Sequence, residues 1–159
     1  EIAPGDTVFM EYGGCYKRYT SPMMRCAVLG EPDDEMRGLE ACVDATVEAI
    51  IAAARPGRIG HDIATEASKT HAPIDDLVYF SGAYAYTIGV GYPPTWAETI
   101  GFISFGSTLE LKPGMAFHLP IAMRVPGRYG VSLSESIVIT DTGCEVLTNL
   151  PRKLTVLEG

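Results

Sequence analysis

The side chains able to do chemistry are few and widely spaced. Glu11 stands in a β-prone run, VFMEYGGCYKRYTSPMMRCAVL, that covers residues 8–29. A carboxylate on an interior strand can act as a nucleophile or as the general base for water. Its plainer role is a buried acid paired with Arg18 or Arg25. His118 falls mid-strand between Phe117 and Leu119. It reads either as a proton donor or substrate ligand, or as a structural histidine. Trp96 with Tyr92 would make an aromatic wall for a cation, or simply pack a loop. Glu135 either binds substrate or pairs with Arg128. His61 and His71 fall on a helical segment and its loop and read as solvated. The four cysteines, Cys15, Cys26, Cys42 and Cys144, have no CxxC spacing. They fit neither a zinc site nor a redox motif. Cys15 and Cys26 are candidates to face each other across a hairpin, although free thiols in a reducing cytoplasm are the expected state.

These side chains need a scaffold, and the pattern supplies one. Gly13-Gly14, between β-prone runs, reads as a hairpin turn or bulge. Gly30-Glu31-Pro32-Asp33-Asp34 reads as a turn into a helix with acids at its positive end. Met36, Leu39, Val43, Val47, Ile50, Ile51 and Ala54 follow with helical spacing, predicting an amphipathic helix stopped by Arg55-Pro56-Gly57. A shorter helix is predicted over roughly Ile59 to Lys69. From Leu77 the pattern changes to strand, with Val78-Tyr79-Phe80 as a short apolar run. Tyr92-Pro93-Pro94-Thr95-Trp96 reads as a rigid loop, because proline cannot donate to a ladder. Strands are predicted over Met115 to Met123, Tyr129 to Thr140, Cys144 to Leu147 and Leu154 to Leu157, with Arg124 to Arg128 as a turn. Strands, two helices, then many strands make an α+β pattern.

A chain of 159 residues, 47% hydrophobic and 20% charged, suits one globular domain with a real core. Net charge is −8 and no basic cluster exceeds an adjacent pair such as Arg152-Lys153. That balance argues against nucleic acid or an anionic membrane as partner and fits a small-molecule, cationic substrate. There is no run of about 18 apolar residues and no signal peptide. A cytoplasmic setting is the expectation. The opening Glu1-Ile2-Ala3-Pro4-Gly5-Asp6, without an initiator Met, reads as a strand inside a larger protein. The expectation is therefore an excised or processed piece.

The order of the opening hairpin resembles the central hairpin of the pita-bread family of aminopeptidase P, prolidase, methionine aminopeptidase and creatinase. Leu111-Lys112-Pro113-Gly114-Met115 is similar to that family's LxPGM turn, and Ser136 to Gly143 to its closing strand. The resemblance implies an incomplete pita-bread fold. Residues 1–159 would be the C-terminal portion of the catalytic domain: an antiparallel sheet with the two helices of the second half, the first-half helices missing. It also implies what stands at the metallopeptidases' five metal-binding positions: Glu11, Pro22, Tyr86, Pro120 and Ser134. Several of these side chains offer no ligand, so the resemblance brings the fold without a metal and without another cofactor.

One branch, the ectoine hydrolases, is more similar. The shared residues are Glu11-Tyr12-Gly13-Gly14-Cys15, Arg18-Tyr19, Pro22, Tyr86-Thr87-Ile88-Gly89, Tyr92-Pro93-Pro94, Trp96, Glu98, Phe117-His118, Ser134-Glu135-Ser136 and Pro151-Arg152-Lys153-Leu154. Thr20 and Ala85 depart from it. The resemblance implies a metal-independent hydrolase of C–N bonds in a small cyclic amidine. Glu11 and His118 would be catalytic. Tyr86, Tyr92, Trp96, Ser134 and Glu135 would bind substrate, and Arg18 or Arg25 would take its carboxylate. A metallopeptidase of the Xaa-Pro aminopeptidase or dipeptidase type, with other ligands, and a catalytically inactive family member are the alternatives. An apolar hairpin face bearing Met10, Tyr12, Met23 and Met24 predicts a homodimer or a cover of further chain.

Overall fold

β1 (Thr7–Tyr16) and β2 (Tyr19–Leu29) form the opening antiparallel hairpin. The computed structural model describes residues 1–91 and 94–158. The hairpin turn is Lys17-Arg18, not Gly13-Gly14: both turn residues have positive φ, 47° and 73°. That is the type I′ pattern, whose twist matches the flanking strands. Gly13 and Gly14 lie inside β1, opposite Pro22 and Ser21.

α1 (Asp34–Ala53) starts where Asp33 accepts a hydrogen bond from the Met36 N–H at 2.8 Å. The cap satisfies one of the unpaired first-turn donors. The buried stripe Met36, Leu39, Val43, Val47 and Ile50 follows the predicted spacing. Pro56 disfavours helix at the residue before it, and Gly57 turns the chain at φ 82°. α2 (Gly60–Ser68) buries Ile63, Ala64 and Ala67. A single 3₁₀ turn covers Ala72–Ile74.

The second sheet contains β3 (Ala85–Ile88), β4 (Ala97–Ile103), β5 (Ala116–Val125), β6 (Tyr129–Ile139) and β7 (Cys144–Val146), in the order β4-β3-β5-β6-β7. Two elements depart from expectation. The run at Val78-Tyr79-Phe80 makes only an isolated bridge, Tyr79 to Arg124, and β4 arises where no strand was anticipated. β8 (Thr155–Leu157) returns to pair in parallel with the end of β2. Among the described residues no helix is long and apolar enough to cross a membrane.

The alternation of β5 and β6 divides the molecule into layers. Phe117, Leu119, Ile121 and Met123 share a face with Val131, Leu133 and Ile137, and these join the core stripe of α1. The opposite face carries His118, Pro120 and Ala122 with Gly130, Ser132, Ser134 and Ser136. Its small side chains leave room for the hairpin. There Ser134 Oγ accepts from the Met24 N–H at 2.6 Å, and Ser136 Oγ donates to the Pro22 carbonyl at 2.8 Å.

The same parity corrects the apolar hairpin patch. Met24 pairs with Glu11 and is buried on the inner face, whereas Met10, Tyr12, Tyr16, Tyr19 and Met23 belong to the outer one. Tyr16 and Tyr19, flanking the turn, are the most open, at 75% and 68% exposure.

A non-glycine residue in the left-handed region carries a steric cost of about 1–2 kcal/mol. Arg18→Gly is therefore expected to stabilise the fold by about 1 kcal/mol in chemical denaturation, the larger backbone entropy of glycine offsetting part of the relief.

Candidate active site

On β1 the inward face holds Phe9, Glu11 and Gly13, opposite Cys26, Met24 and Pro22 of β2. The β2 side chains are buried under β6, but β1 is the edge strand and overhangs, so Glu11 stays accessible. Its carboxyl is nevertheless held above the usual carboxylate range by desolvation, with Arg124 pulling the other way. Arg124, at the end of β5, lies over the Phe9 ring at 5.3 Å.

Beyond Glu11 the hairpin meets the loop after β3. The Thr20 N–H donates to the Gly89 carbonyl at 2.8 Å, and its hydroxyl to Gly91 at 3.1 Å. Glu98 holds that loop by accepting from the Gly91 N–H at 2.7 Å. The Trp96 ring lies against Gly13, where an added Cβ would make ordinary contact with it at 3.4 Å and would crowd Thr20 Cγ2 at 3.0 Å. The absence of a side chain at Gly13 thus eases the packing of Thr20.

A directed chain of hydrogen bonds runs beneath. Ser134 Oγ accepts from Met24, and His118 Nε2 lies 2.9 Å from it. A backbone N–H can only donate, so the buried serine proton is satisfied by pointing to His118 Nε2. The imidazole proton then sits on Nδ1 and donates to Tyr86 Oη at 2.7 Å. Trp96 Nε1 donates to the same oxygen at 2.8 Å. Tyr86 Oη accepts twice, leaving its own proton to be donated outward. Desolvation, opposed by the Trp96 N–H and reinforced by Glu11, pushes this phenol up to about 12. It is a donor, not a phenolate, at any ordinary pH.

Several expected roles change. His118 is fully buried with both ring nitrogens engaged, and desolvation lowers it to about 3. It is a neutral imidazole that positions Tyr86, not a proton donor to a ligand. Ser134 is likewise fully buried and acts through His118. Glu135 points to the opposite face of β6, towards the helices. There it meets Arg25 at 3.3 Å and Arg152 at 3.4 Å, and does not meet Arg128, which pairs with Glu35. Arg25 donates to the carbonyls of Met24, Ser134, Leu150 and Pro151 as well, so it has nothing left for a substrate. Arg18 is in the exposed turn, separated from Glu11 by roughly 20 Å of strand. His71 is buried, between Asp75 at 2.5 Å and Tyr84 at 2.9 Å, and is not solvated. Cys15 and Cys26 face Thr20 and Phe9, not each other. Tyr92 lies outside the described residues.

Two participants escaped the sequence reading. Arg124 was grouped with a turn, although β5 parity sets it on the face of His118. Glu98 was only a motif match. Two clefts, of about 620 Å³ below β4 and about 440 Å³ beside α1, do not reach Glu11. The site is a groove on the hairpin face.

The five positions at which the resemblance sets metal ligands do converge. Tyr86 and Ser134 are bridged by His118, Pro120 pairs with Ser134, the Pro22 carbonyl accepts from Ser136, and Glu11 pairs with Met24. Yet the donor set does not fit a metal centre. Two prolines offer no side-chain ligand, both hydroxyls are neutral and engaged, and one carboxylate remains. Among the described residues no three His, Cys, Asp or Glu side chains gather as ligands would.

Comparison with known proteins bears on the family and the fold. The profile of Metallopeptidase family M24 matches residues 1–141. The ectoine hydrolase of Halomonas elongata is 36% identical over 154 residues, 96% of this chain and 38% of that protein. The probable dipeptidase PepE of Mycobacterium tuberculosis is 28% identical over 158 residues, 99% of this chain and 41% of that one. The crystal structure of dipeptidase PepE from Mycobacterium ulcerans superposes with a TM-score of 0.88 at 26% identity, over 99% of this chain and 41% of that one. The chain spans about two fifths of the length of these relatives.

The His118 shift has a sign that can be checked. An unfolded histidine takes up a proton below its ordinary value of 6.5, whereas the folded one stays neutral down to about 3. The unfolded state then binds more protons, so stability is intact above pH 6.5 and falls as pH drops towards 3. The slope approaches about 1.4 kcal/mol per pH unit. Denaturant titrations at several pH values should show this loss, and His118→Gln should remove that part of it.

Proposed function

The chain belongs to Metallopeptidase family M24, and from that premise we propose that it forms part of a metal-independent hydrolase that opens a C–N bond in a small cyclic amidine of the ectoine type. The observation that carries this reading is the replacement of a ligand cluster by one carboxylate, Glu11, beside a hydroxyl fixed as a donor, Tyr86. Similarity to an ectoine hydrolase supports the substrate class.

An amidinium is planar, cationic and fringed with N–H donors, which suits a carboxylate partner. Its central carbon is already electrophilic. Glu11, raised by desolvation, is a stronger base than an ordinary carboxylate and takes a proton from water as the oxygen adds to that carbon. The ring C–N bond breaks and an amide remains. Both protons of the water end on the departing nitrogen, the first carried by Glu11, so net charge is conserved. Tyr86 offers its outward proton to the oxygen or to Glu11, and the Trp96 ring face offers the cation a π surface.

Relatives described as dipeptidases motivate a second reading, hydrolysis of an Xaa-Pro dipeptide. Turnover of ectoine set against Xaa-Pro dipeptides separates the two.

In the full-length enzyme, Glu11→Gln is expected to keep the melting temperature while turnover falls by about 100-fold or more, the size of a lost acid–base role. The acid limb of the kcat/KM profile, set by the Glu11 carboxyl above 4.5, should vanish with it. A variant that turns over normally removes Glu11 from the mechanism. Treatment with EDTA should leave activity unchanged; loss restored by Mn²⁺ or Zn²⁺ would refute metal independence.

A further inference from the structure

Arg124 is the one arginine beside Glu11, and its position is built. Its backbone is pinned by a bridge to Tyr79, with N–H to carbonyl distances of 3.1 and 2.7 Å. Its guanidinium is seated 5.3 Å from the Phe9 ring centre. Gly130, its partner across β5–β6, leaves the room: a Cβ there would meet Phe9 Cζ at 2.9 Å and Arg124 Cγ at 3.0 Å. Phe9 and Glu11 are alternate residues on one strand face, so their α-carbons are about 7 Å apart. The guanidinium and the carboxylate therefore share the groove. Among the described residues, neither closes an ion pair with the other or with any third group.

We propose that Arg124 is the carboxylate-binding residue of this site, so that the groove reads a zwitterion: an N–H cation against Glu11 and a carboxylate against Arg124. The inference rests on the reading of Glu11 as the group that meets the substrate. It replaces Arg18 and Arg25, which the fold removes from that role. Geometry favours arginine here. Its planar fork matches a carboxylate with two parallel hydrogen bonds while its face stays stacked on Phe9. The Phe9 platform holds the side chain in place before a ligand arrives, which lowers the ordering cost of binding. A cyclic amidinium without a carboxylate would satisfy Glu11 and leave Arg124 unpaired. Discrimination between acid and amide forms of one molecule is the expected signature.

The test uses two such pairs, ectoine with its carboxamide and glycyl-proline with glycyl-prolinamide, titrated calorimetrically into the wild-type protein and its Arg124→Gln and Arg124→Lys variants. Wild type should prefer the acid of whichever scaffold it binds by about 10-fold or more, the scale of a hydrogen bond to a charged group. Arg124→Gln should lose that preference while binding the amide as before, and Arg124→Lys should keep part of it. Unchanged melting temperatures would show that the exposed side chain is not structural. A preference for glycyl-proline that is lost in Arg124→Gln would uphold Arg124 and overturn the amidine reading. Ectoine binding with no acid preference, or a preference that survives in Arg124→Gln, would overturn Arg124 alone. Binding of neither scaffold would overturn both.

Discussion

A hydroxyl buried on an interior strand must find partners for its proton and its lone pairs inside the protein, and Ser134 finds them in His118 and Met24. That requirement ties four separate strands together. Met24 belongs to the hairpin, Ser134 and His118 to neighbouring strands of the second sheet, and Tyr86 to the strand beyond. An unsatisfied group at any link costs about 1–3 kcal/mol, so the hairpin cannot slide on the sheet without breaking the chain. Its register fixes Glu11, because Glu11 pairs with Met24 itself. The Glu11 carboxylate is thus positioned by a serine it never touches.

The same chain sets the electrostatics. A neutral imidazole, locked in one tautomer, keeps Tyr86 a hydrogen-bond donor and prevents a positive charge from forming under Glu11. A protonated histidine there would lower the carboxyl and weaken it as a base. Desolvation pushes Glu11 up, neutral His118 adds no opposing charge, and Arg124 beside it tempers the rise.

How much of this was legible depended on how local each cause was. The first helix was legible in its length and buried face, because the stripe from Met36 to Ile50 acts within a few residues, although its start falls after Pro32, at the Asp33 cap, and its end before Ala54. Gly13-Gly14 misled because glycine serves two purposes. At Gly13 it makes room for the Thr20 methyl group, while the turn is made by Lys17 and Arg18, whose side chains do not advertise positive φ. The parallel pairing of Thr155–Leu157 with the hairpin, and the strand Ala97–Ile103, depend on partners far along the chain. The site residues show the same limit. Strand parity alone says that Ser134 and Glu135 point to opposite faces. Which face meets the hairpin is decided by register with β5, and that has no local signature. Glu135 and Arg25 therefore looked like ligands for a substrate when they are ligands for each other.

That buried pair explains why the groove stays in place despite its exposed edge strand. Arg25 reaches from the hairpin to the Ser134 carbonyl and Glu135 of β6 and to the carbonyls of Leu150 and Pro151 in the tail. Arg152 continues from Glu135 to Asp44 and Glu48 on the first helix. Such a cluster contributes little net stability, since desolvating the ions offsets much of their attraction. Losing a single member is another matter, because it leaves an uncompensated charge in the interior and costs about 3–5 kcal/mol. The arrangement is accordingly close to all-or-none. A hairpin shifted by one register step would turn Arg25 away from Glu135 and flip Glu11 to the outer face in the same movement. The ion cluster on the helix side and the hydrogen-bond chain on the hairpin side thus enforce one register from opposite faces of the same strand, and the position of the Glu11 carboxylate follows from both.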